Sequence, residues 1–536
     1  MGKYVNDKTL FRKFLLLCED DLYVNKTKVI EKISRLKKSV RNRYFCVSRP
    51  RRFGKTSLLQ MISSYYCKES IIDESEFKYI DEDLKQYNVI TINMTYYGSS
   101  DFSSWLDNLC SIIITELKEL FPDYCNVEDD SVKYDIDYYI NRIQANSDFE
   151  EKFIILIDEW DNPIRNLNLS KKEEYKLLSF YNMFTKGSSN IDLCILFGIY
   201  PKSGYAMDSL SNNFKDYSII SDKVFYSSVG FTHEELVDLV NRSGTKLKDS
   251  DIEEWYNGYT INGESVMNSN SVLSALDNES LESYCENTSD FNNLLKILVS
   301  NEELCRKMIS GERVEFNSEE LDKLIRCEDF ESATGLVYKL IYSGFLSLKD
   351  NFIRIPNREM LSIFLIFTNI VKNSNQFIDL LKQSNRALEC IFSGKEDELG
   401  DILRYFHGLL CASRYYNNEV SLHDLITFIF MQHMDKYHLH KEMNSGEGFI
   451  DRVIVAKDSS VALIIECKVE DDTKKGIKQI VDKKYITDFT GYGRVILVSV
   501  SYGKKNKIHK CKINDLGKVT HKDLISGDIF MSTNLF

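Results

Sequence analysis

The chain runs to 536 residues, 43% hydrophobic and 28% charged, which is long enough for about three domains that each bury a core. A formal charge of −13 argues against a protein that coats nucleic acid nonspecifically, and 13 cysteines scattered without a C-x-x-C pair imply neither a disulfide framework nor a zinc knuckle. No apolar run approaches the ~18 residues that cross a bilayer and the polar start Met1 to Thr9 is no signal peptide, so a cytoplasmic protein without a membrane partner is expected.

Tyr44, Phe45, Cys46 and Val47 form a short apolar run of strand type. The segment RPRRFGKTSLL follows, and Ser57 to Ile62 read as the first turns of a buried helix. Strand, loop and helix in that order suit a phosphate-cradling loop, whose backbone N–H groups and helix N-terminus hold phosphates. Arg49, Pro50, Arg51, Arg52, Phe53, Gly54, Lys55, Thr56 and Ser57 are therefore the candidate nucleotide-binding residues. Lys55 is expected to reach the β and γ oxygens of ATP, and the Thr56 hydroxyl to ligate Mg²⁺. The pattern G-x-x-x-x-G-K-[ST] is departed from at its first position, where Arg49 stands for Gly.

Phe153 to Ile157 is a continuous apolar run, as in a parallel strand buried on both faces, and it ends in Asp158 and Glu159. In a Walker B arrangement Asp158 holds the nucleotide's Mg²⁺ and Glu159 is the catalytic base that deprotonates water. A buried strand ending in a helix-capping acid is the plain alternative; two motifs in this order, about a hundred residues apart, favour ATP. Leu193 to Gly198 is a further apolar run, with Phe197 at the position of a sensor residue. Lys202 and Ser203 then read either as nucleotide sensors or as a surface loop. An arginine finger is expected from Arg165 or from a neighbouring subunit, so a homo-oligomer stays open. Thr232 to Arg242 is helical, with His233 in its capping turn. From Ser269 to about Leu399 apolar residues recur at helical spacing, and Tyr342 to Pro356 alternates like a hairpin around Lys349, Asp350 and Asn351. That stretch reads as a helical lid and connector with a small winged element.

Lys441 to Phe536 carries 17 Lys and Arg against 13 Asp and Glu, about +4, which leaves about −17 for the rest. This part suits a polyanion, or simply presents a solvated basic face. Phe449 to Ala456 reads as a strand, Lys457 to Ser460 as a tight turn, and Val461 to Lys468 as the returning strand. Period two puts Glu466 and Lys468 on one face, with Asp451 on the neighbouring strand and Cys467 turned away. Two carboxylates bind Mg²⁺ or Mn²⁺, and a lysine beside them positions the water that attacks a phosphodiester. An exposed cross-strand salt bridge is the plain alternative, but Ala462 to Ile465 predict a buried strand in which a charged pair needs a reason. Lys474 to Tyr485 reads as a helix offering Gln479 to the site or to substrate, and Arg494 to Val500 as a further strand.

Taken together these stretches resemble the AAA-ATPase-like proteins that carry a C-terminal PD-(D/E)XK nuclease domain. LYVNKT at Leu22 to Thr27, RPRRFGKT, ILIDEWDNPI at Ile155 to Ile164, LSNN at Leu210 to Asn213, and WYNGY at Trp255 to Tyr259 match that family's segments. Gly448, Asp451, Glu466, Lys468, Gln479, Lys484 and Tyr485 fall at its G-x-x-D, E-x-K and Q…K-Y positions. Phe449 stands where the family has Arg. The resemblance implies an α/β fold with an AAA-like P-loop NTPase parallel-sheet domain at residues 1–265. It further implies a helical lid or connector at 266–400 and a restriction-endonuclease-like domain at 401–536. The implied cofactors are ATP and Mg²⁺, with Mn²⁺ at the nuclease site. The implied partner is nucleic acid, DNA above all, gripped by Gln479 and Lys484 and cut at Asp451, Glu466 and Lys468, with an acid from Glu442 or Glu447.

Overall fold

The computed structural model describes residues 2–95, 101–125, 132–147, 150–167, 169–185, 191–202, 213–261, 263–285, 333–371, 374–410, 436–445, 448–456, 458–470 and 472–520, with isolated positions between 304 and 316 and between 422 and 433. It divides into two compact units, Met1–Tyr96, Ser100–Cys285 and Glu303–Ser362 in one, Tyr97–Ser99, Glu286–Glu302 and Ile363–Phe536 in the other. Ser203, Leu210 to Asn212 and Glu447 lie outside the described residues.

In the first unit, strands β1 (Tyr44–Ser48), β2 (Asn88–Asn93), β3 (Phe153–Asp158), β4 (Ile191–Gly198) and β5 (Lys215–Ser218) form a sheet in the order β2-β3-β4-β1-β5. Every pair in it is parallel. β1 and β3 are buried along their whole length, because helices cover both faces of a parallel sheet and no position on these strands meets water. Helices Phe102–Leu120, Ile136–Asn146 and Lys171–Met183 pack one face with Ile155, Ile157 and Trp160. Each such fully buried side chain contributes about 1.5–3 kcal/mol of transfer free energy. Since β4 separates β1 from β3, the loops leaving those two strands flank one crevice at the carboxyl edge, where ligands of open α/β sheets bind.

The rest of this unit follows local signals. Thr232 caps helix His233–Ser243 in a reciprocal box with Glu235, and Gly244 ends it at φ 64°. His233 pairs with Glu253 at 3.2 Å on the surface. Strands β6 (Tyr259–Ile261) and β7 (Glu264–Val266) make one hairpin, and β8 (Val314–Glu315), β10 (Phe352–Arg354) and β9 (Ser347–Lys349) a small antiparallel sheet. The β9–β10 turn has Asp350 and Asn351 at φ 51° and 64°, the twist a two-residue hairpin requires. Gly258 is glycine for a steric reason: at φ 120°, a Cβ there would lie 1.9 Å from the Pro356 carbonyl oxygen.

The second unit contains a sheet of β11 (Tyr437–Ser445), β12 (Gly448–Ala456), β13 (Ala462–Val469), β14 (Val495–Gly503) and β15 (Ile508–Gly517), in that order. Only the β13–β14 pair is parallel, and helix Thr473–Asp482 makes the crossover between them. That helix stops short of the expected Tyr485. Lys484 turns left-handed at φ 57°, and a 3-10 segment Tyr485–Phe489 then buries Tyr485, Ile486 and Phe489 against the sheet. Among the described residues no helix is long and apolar enough to cross a membrane.

Helix Glu396–Leu410 packs on β15 through a closed group of rings: His407, Tyr502 and His509 lie with all centroids 4.8 Å apart. His407 Nδ1 and His509 Nε2 are 2.7 Å apart, a hydrogen bond whose donor is set by the ring tautomers. Burial, with the nearby His407 and Arg404 charges, pushes His509 down from 6.5 to about 3. Between those values the unfolded chain binds a proton that the folded chain refuses, so this contribution is complete above pH 6.5 and is lost as pH falls towards 3. Denaturant unfolding should therefore show about 2 kcal/mol less stability at pH 5 than at pH 7.5 from this group. His509→Gln should flatten that difference; an unchanged pH dependence in the variant would refute the assignment.

Candidate functional site

The chain leaves β1 at Ser48, turns through residues 49–54, and enters helix Lys55–Tyr66 with Gly54 left-handed at φ 94°. Gly54 tolerates that conformation because it lacks a Cβ. Lys55 is buried, and its ammonium donates to the carbonyl oxygens of Arg49 at 3.0 Å and Pro50 at 2.9 Å. Burial lowers its pKa, against the opposing pull of Glu159, Asp158 and Asp161. The Thr56 hydroxyl donates to Asp158 Oδ2 at 2.8 Å, joining the start of the helix to the end of β3. Burial and then the neighbouring Glu159 charge push Asp158 up to about 6, with Thr56 and Lys55 resisting.

Glu159 follows at φ 51°, its backbone N–H on Asp158 Oδ1 at 3.0 Å and its Oε2 accepting from Arg165 at 2.6 Å. Burial raises its pKa, but Arg165, Lys55 and Arg51 outweigh that and hold it below the usual carboxylate range. Lys55, Thr56, Asp158 and Glu159 are thus brought together. A hydroxyl, two acids and a lysine at a helix N-terminus form a donor set that fits a nucleotide triphosphate with Mg²⁺.

The other loop residues part company. Arg49 points away from the crevice into the protein, fully buried in an ion pair with the equally buried Asp222, and it donates to the carbonyls of Ser48 at 2.8 Å and Tyr217 at 3.0 Å. Expected among the nucleotide-binding residues, it uses its side chain to pin the loop to β5. The Arg51 carbonyl accepts from Asn268 at 3.3 Å, and the Arg52 carbonyl from Ser269 at 3.0 Å and from the Asn270 N–H at 3.2 Å, so helix Ser269–Asn278 docks on the loop by its capped end. Phe53 is buried against the Tyr259 ring, edge-on at 5.1 Å. Lys202, read as a sensor or a surface residue, is not on the surface: fully buried, its ammonium faces the Trp160 ring at 5.4 Å and the Tyr181 ring at 5.8 Å.

Two features of this site were not read from sequence. Asp222 was one, although a basic residue in place of the loop's first glycine demands a buried acid somewhere. The other is a cavity of about 140 Å³ beside Gly54 and Ser57, walled by Leu22, Val24, Phe53, Leu58 and Phe231. Lys26 at its edge is tied to Glu235 and to the Ser227 carbonyl.

In the second unit Asp451 lies on β12, and Glu466 and Lys468 on β13. Asp451 Oδ2 accepts from the Cys467 N–H at 2.7 Å, and Lys468 donates to Glu466 Oε2 at 3.1 Å. Glu466 is fully buried and its Oε1 has no hydrogen-bond partner. Burial and then the Asp451 charge push it up to about 8, with Lys468 opposing. Two carboxylates this close do not both ionise unaided, so the pair and its orphan oxygen fit a divalent cation. Gln479 is half-buried on the crossover helix near Tyr485, and Lys484 is exposed at the turn after it. The side chains of Phe449 and Glu442 lie outside the described part. Among the described residues no three His, Cys, Asp or Glu side chains cluster as a metal site.

Residues 11–209, less than half of the chain, match the AAA-ATPase-like family, described as predicted AAA-ATPase, and it is this stretch that is similar to that class. A curated relative, described as an uncharacterized protein in the vnfD 5′ region of Azotobacter chroococcum mcd 1, is 23% identical over 231 residues, which are 42% of this chain and 43% of the relative. The match thus spans less than half of that relative's length. Among solved structures, the Walker-type ATPase PABY2304 of Pyrococcus abyssi is 13% identical with a TM-score of 0.34, covering 63% of this chain and 94% of its own. The ORC2 protein of Aeropyrum pernix is 11% identical with a TM-score of 0.26, covering 64% and 93%. The RuvB Holliday junction branch migration motor of Thermotoga maritima is 15% identical with a TM-score of 0.24, covering 61% and 91%.

The Arg49–Asp222 pair generates a stability test. Asp222→Ala leaves a guanidinium buried without its counter-charge and should cost about 3–5 kcal/mol. Asp238→Ala breaks only the exposed pair with Arg242 and should cost within about 0.5 kcal/mol. Thermal melts that show equal losses for the two would contradict the buried pin.

Proposed function

We propose that the first unit binds and hydrolyses ATP, and that the second is a metal-dependent nuclease acting on DNA. The junction of Thr56 with Asp158 above the buried Lys55 carries the first half of this reading. The apolar cavity beside Gly54 suits an adenine ring, with the phosphates laid along the N-terminus of helix Lys55–Tyr66. On binding, Lys55 would exchange its two carbonyl partners for phosphate oxygens, and Thr56 and Asp158 would hold Mg²⁺, which would supply charge neutralisation on the phosphates. Glu159 takes the proton from the attacking water.

Lys55→Ala should abolish both nucleotide binding and turnover. Glu159→Gln should retain binding and lose hydrolysis by about a hundredfold or more, since it removes only the base. Equal turnover in Glu159→Gln and the unaltered protein would rule out that role.

The Glu466–Asp451 pair carries the second half: a buried carboxylate with no N–H or O–H donor on its Oε1, pressed against a second acid with a lysine beside it, is a costly arrangement that a divalent cation would relieve. Asp451 and Glu466 would hold Mg²⁺ or Mn²⁺, which polarises the phosphodiester. Lys468 would orient the nucleophile, with Gln479 and Lys484 on the DNA backbone. With ATP and Mg²⁺ supplied, the purified chain should nick or degrade DNA, and Asp451→Ala or Lys468→Ala should stop it without lowering the ATPase rate. DNA binding with no cutting under Mg²⁺ or Mn²⁺ would instead make the second unit a nucleic-acid grip.

A further inference from the structure

Arg165 is one turn beyond the ATPase acids, on the short helix Asn162–Asn166. Its Nη2 donates to Glu159 Oε2 at 2.6 Å, while its Nε lies 3.1 Å from Asp161 Oδ2. Asp161 is itself fully buried and accepts from the backbone N–H groups of Ile199 at 3.0 Å and Tyr200 at 2.8 Å, just past the end of β4. The guanidinium is only 5% exposed, so it does not swing in solvent; it is a fixed bridge between one acid anchored on the sheet and the acid that must act on water. A general base works through an oxygen lone pair open to a water molecule at hydrogen-bond distance. Here a charge-assisted bond engages Oε2, one of the two carboxylate oxygens, and ties the Glu159 side chain to helix Asn162–Asn166.

We propose that Arg165 is a built-in brake on ATP hydrolysis, holding Glu159 away from water duty until the ion pair opens. This rests on the ATPase reading above and adds to it the residue that keeps the resting enzyme slow. Removing Arg165 need not unfold the site. Asp161 keeps its two backbone donors, and Glu159, whose side chain is 25% exposed, reaches water in place of the guanidinium.

The test compares the full chain with Arg165→Ala, Arg165→Gln and Arg165→Lys, using Mg-ATP turnover, binding of a non-hydrolysable ATP analogue, and melting temperature. The alanine and glutamine variants should turn over ATP about tenfold faster or more, with KM and analogue affinity within about twofold of the unaltered protein. Lysine keeps a cation but not the two-headed fork, and should fall between. The double variant Glu159→Gln with Arg165→Ala should be as slow as Glu159→Gln alone, which ties the gain to the freed carboxylate. Unchanged or slower turnover in Arg165→Ala and Arg165→Gln would overturn the brake; slower turnover with weakened analogue binding would make Arg165 a phosphate contact instead. Analogue binding to Lys55→Ala separates the two levels. If binding depends on Lys55 and no gain is seen, the brake alone fails. If binding is absent or indifferent to Lys55, the ATPase reading fails and the brake with it.

Discussion

Thr56 and Asp158 are 102 residues apart in the chain and 2.8 Å apart in space, and that approach depends on the order of strands in the first sheet. With β4 between them, β1 and β3 end at the same edge, separated by one strand rather than hydrogen-bonded to each other. The helix that follows β1 then crosses the gap at its first turn, where its unpaired N–H groups and dipole favour anions. Had β3 paired with β1 directly, the acids would crowd the loop, leaving no opening for phosphates between them. The nucleotide site is thus a consequence of sheet order, and the sheet order is held by the interlocked Ile and Leu side chains of β3 and β4, which are buried at every position from Leu193 to Gly198.

Within that frame, the cost of taking charge out of water decides where side chains go. Arg49 shows this most plainly. In a loop exposed to phosphate it would be a useful cation, yet it turns inward to Asp222, because a buried acid facing an absent partner is the less stable alternative. The loop keeps its shape by that pin and by the Lys55 ammonium, which holds the Arg49 and Pro50 carbonyls in the absence of nucleotide.

Local patterns were legible in the residues, and distant pairings were not. GKT between an apolar run and a helix, the run ending in Asp158 and Glu159, and the Asp350–Asn351 turn all announce themselves within a dozen residues, since backbone propensity and burial period act at that range. The hairpin carrying Asp451, Glu466 and Lys468 was legible for the same reason, its alternation placing the acid and the lysine on one face. The Arg49–Asp222 pairing was not legible because the partner lies 173 residues downstream and nothing local marks it. The end of the crossover helix was misplaced because Lys484 adopts a left-handed turn to seat Tyr485 and Phe489 in the core, so tertiary packing overrode a helical period. Lys202 was open between sensor and surface because a lysine over two aromatic rings has no signature in its own neighbourhood.

The two acidic sites differ in how their charge is balanced without a ligand, and the difference bears on how each responds to one. At the first, every acid has an internal partner: Asp158 has Thr56, Glu159 has Arg165, and Asp161 has Arg165 and two backbone amides. A site so completed is stable when empty, and an incoming nucleotide must compete with bonds already made. At the second, Lys468 donates to one oxygen of Glu466, and the other is buried against the Asp451 carboxylate, a second acid rather than a cation. Desolvation and the neighbouring Asp451 charge there favour protonation of Glu466. The first site therefore balances its charge through existing ion pairs, and the second through a carboxyl group held above its usual pKa.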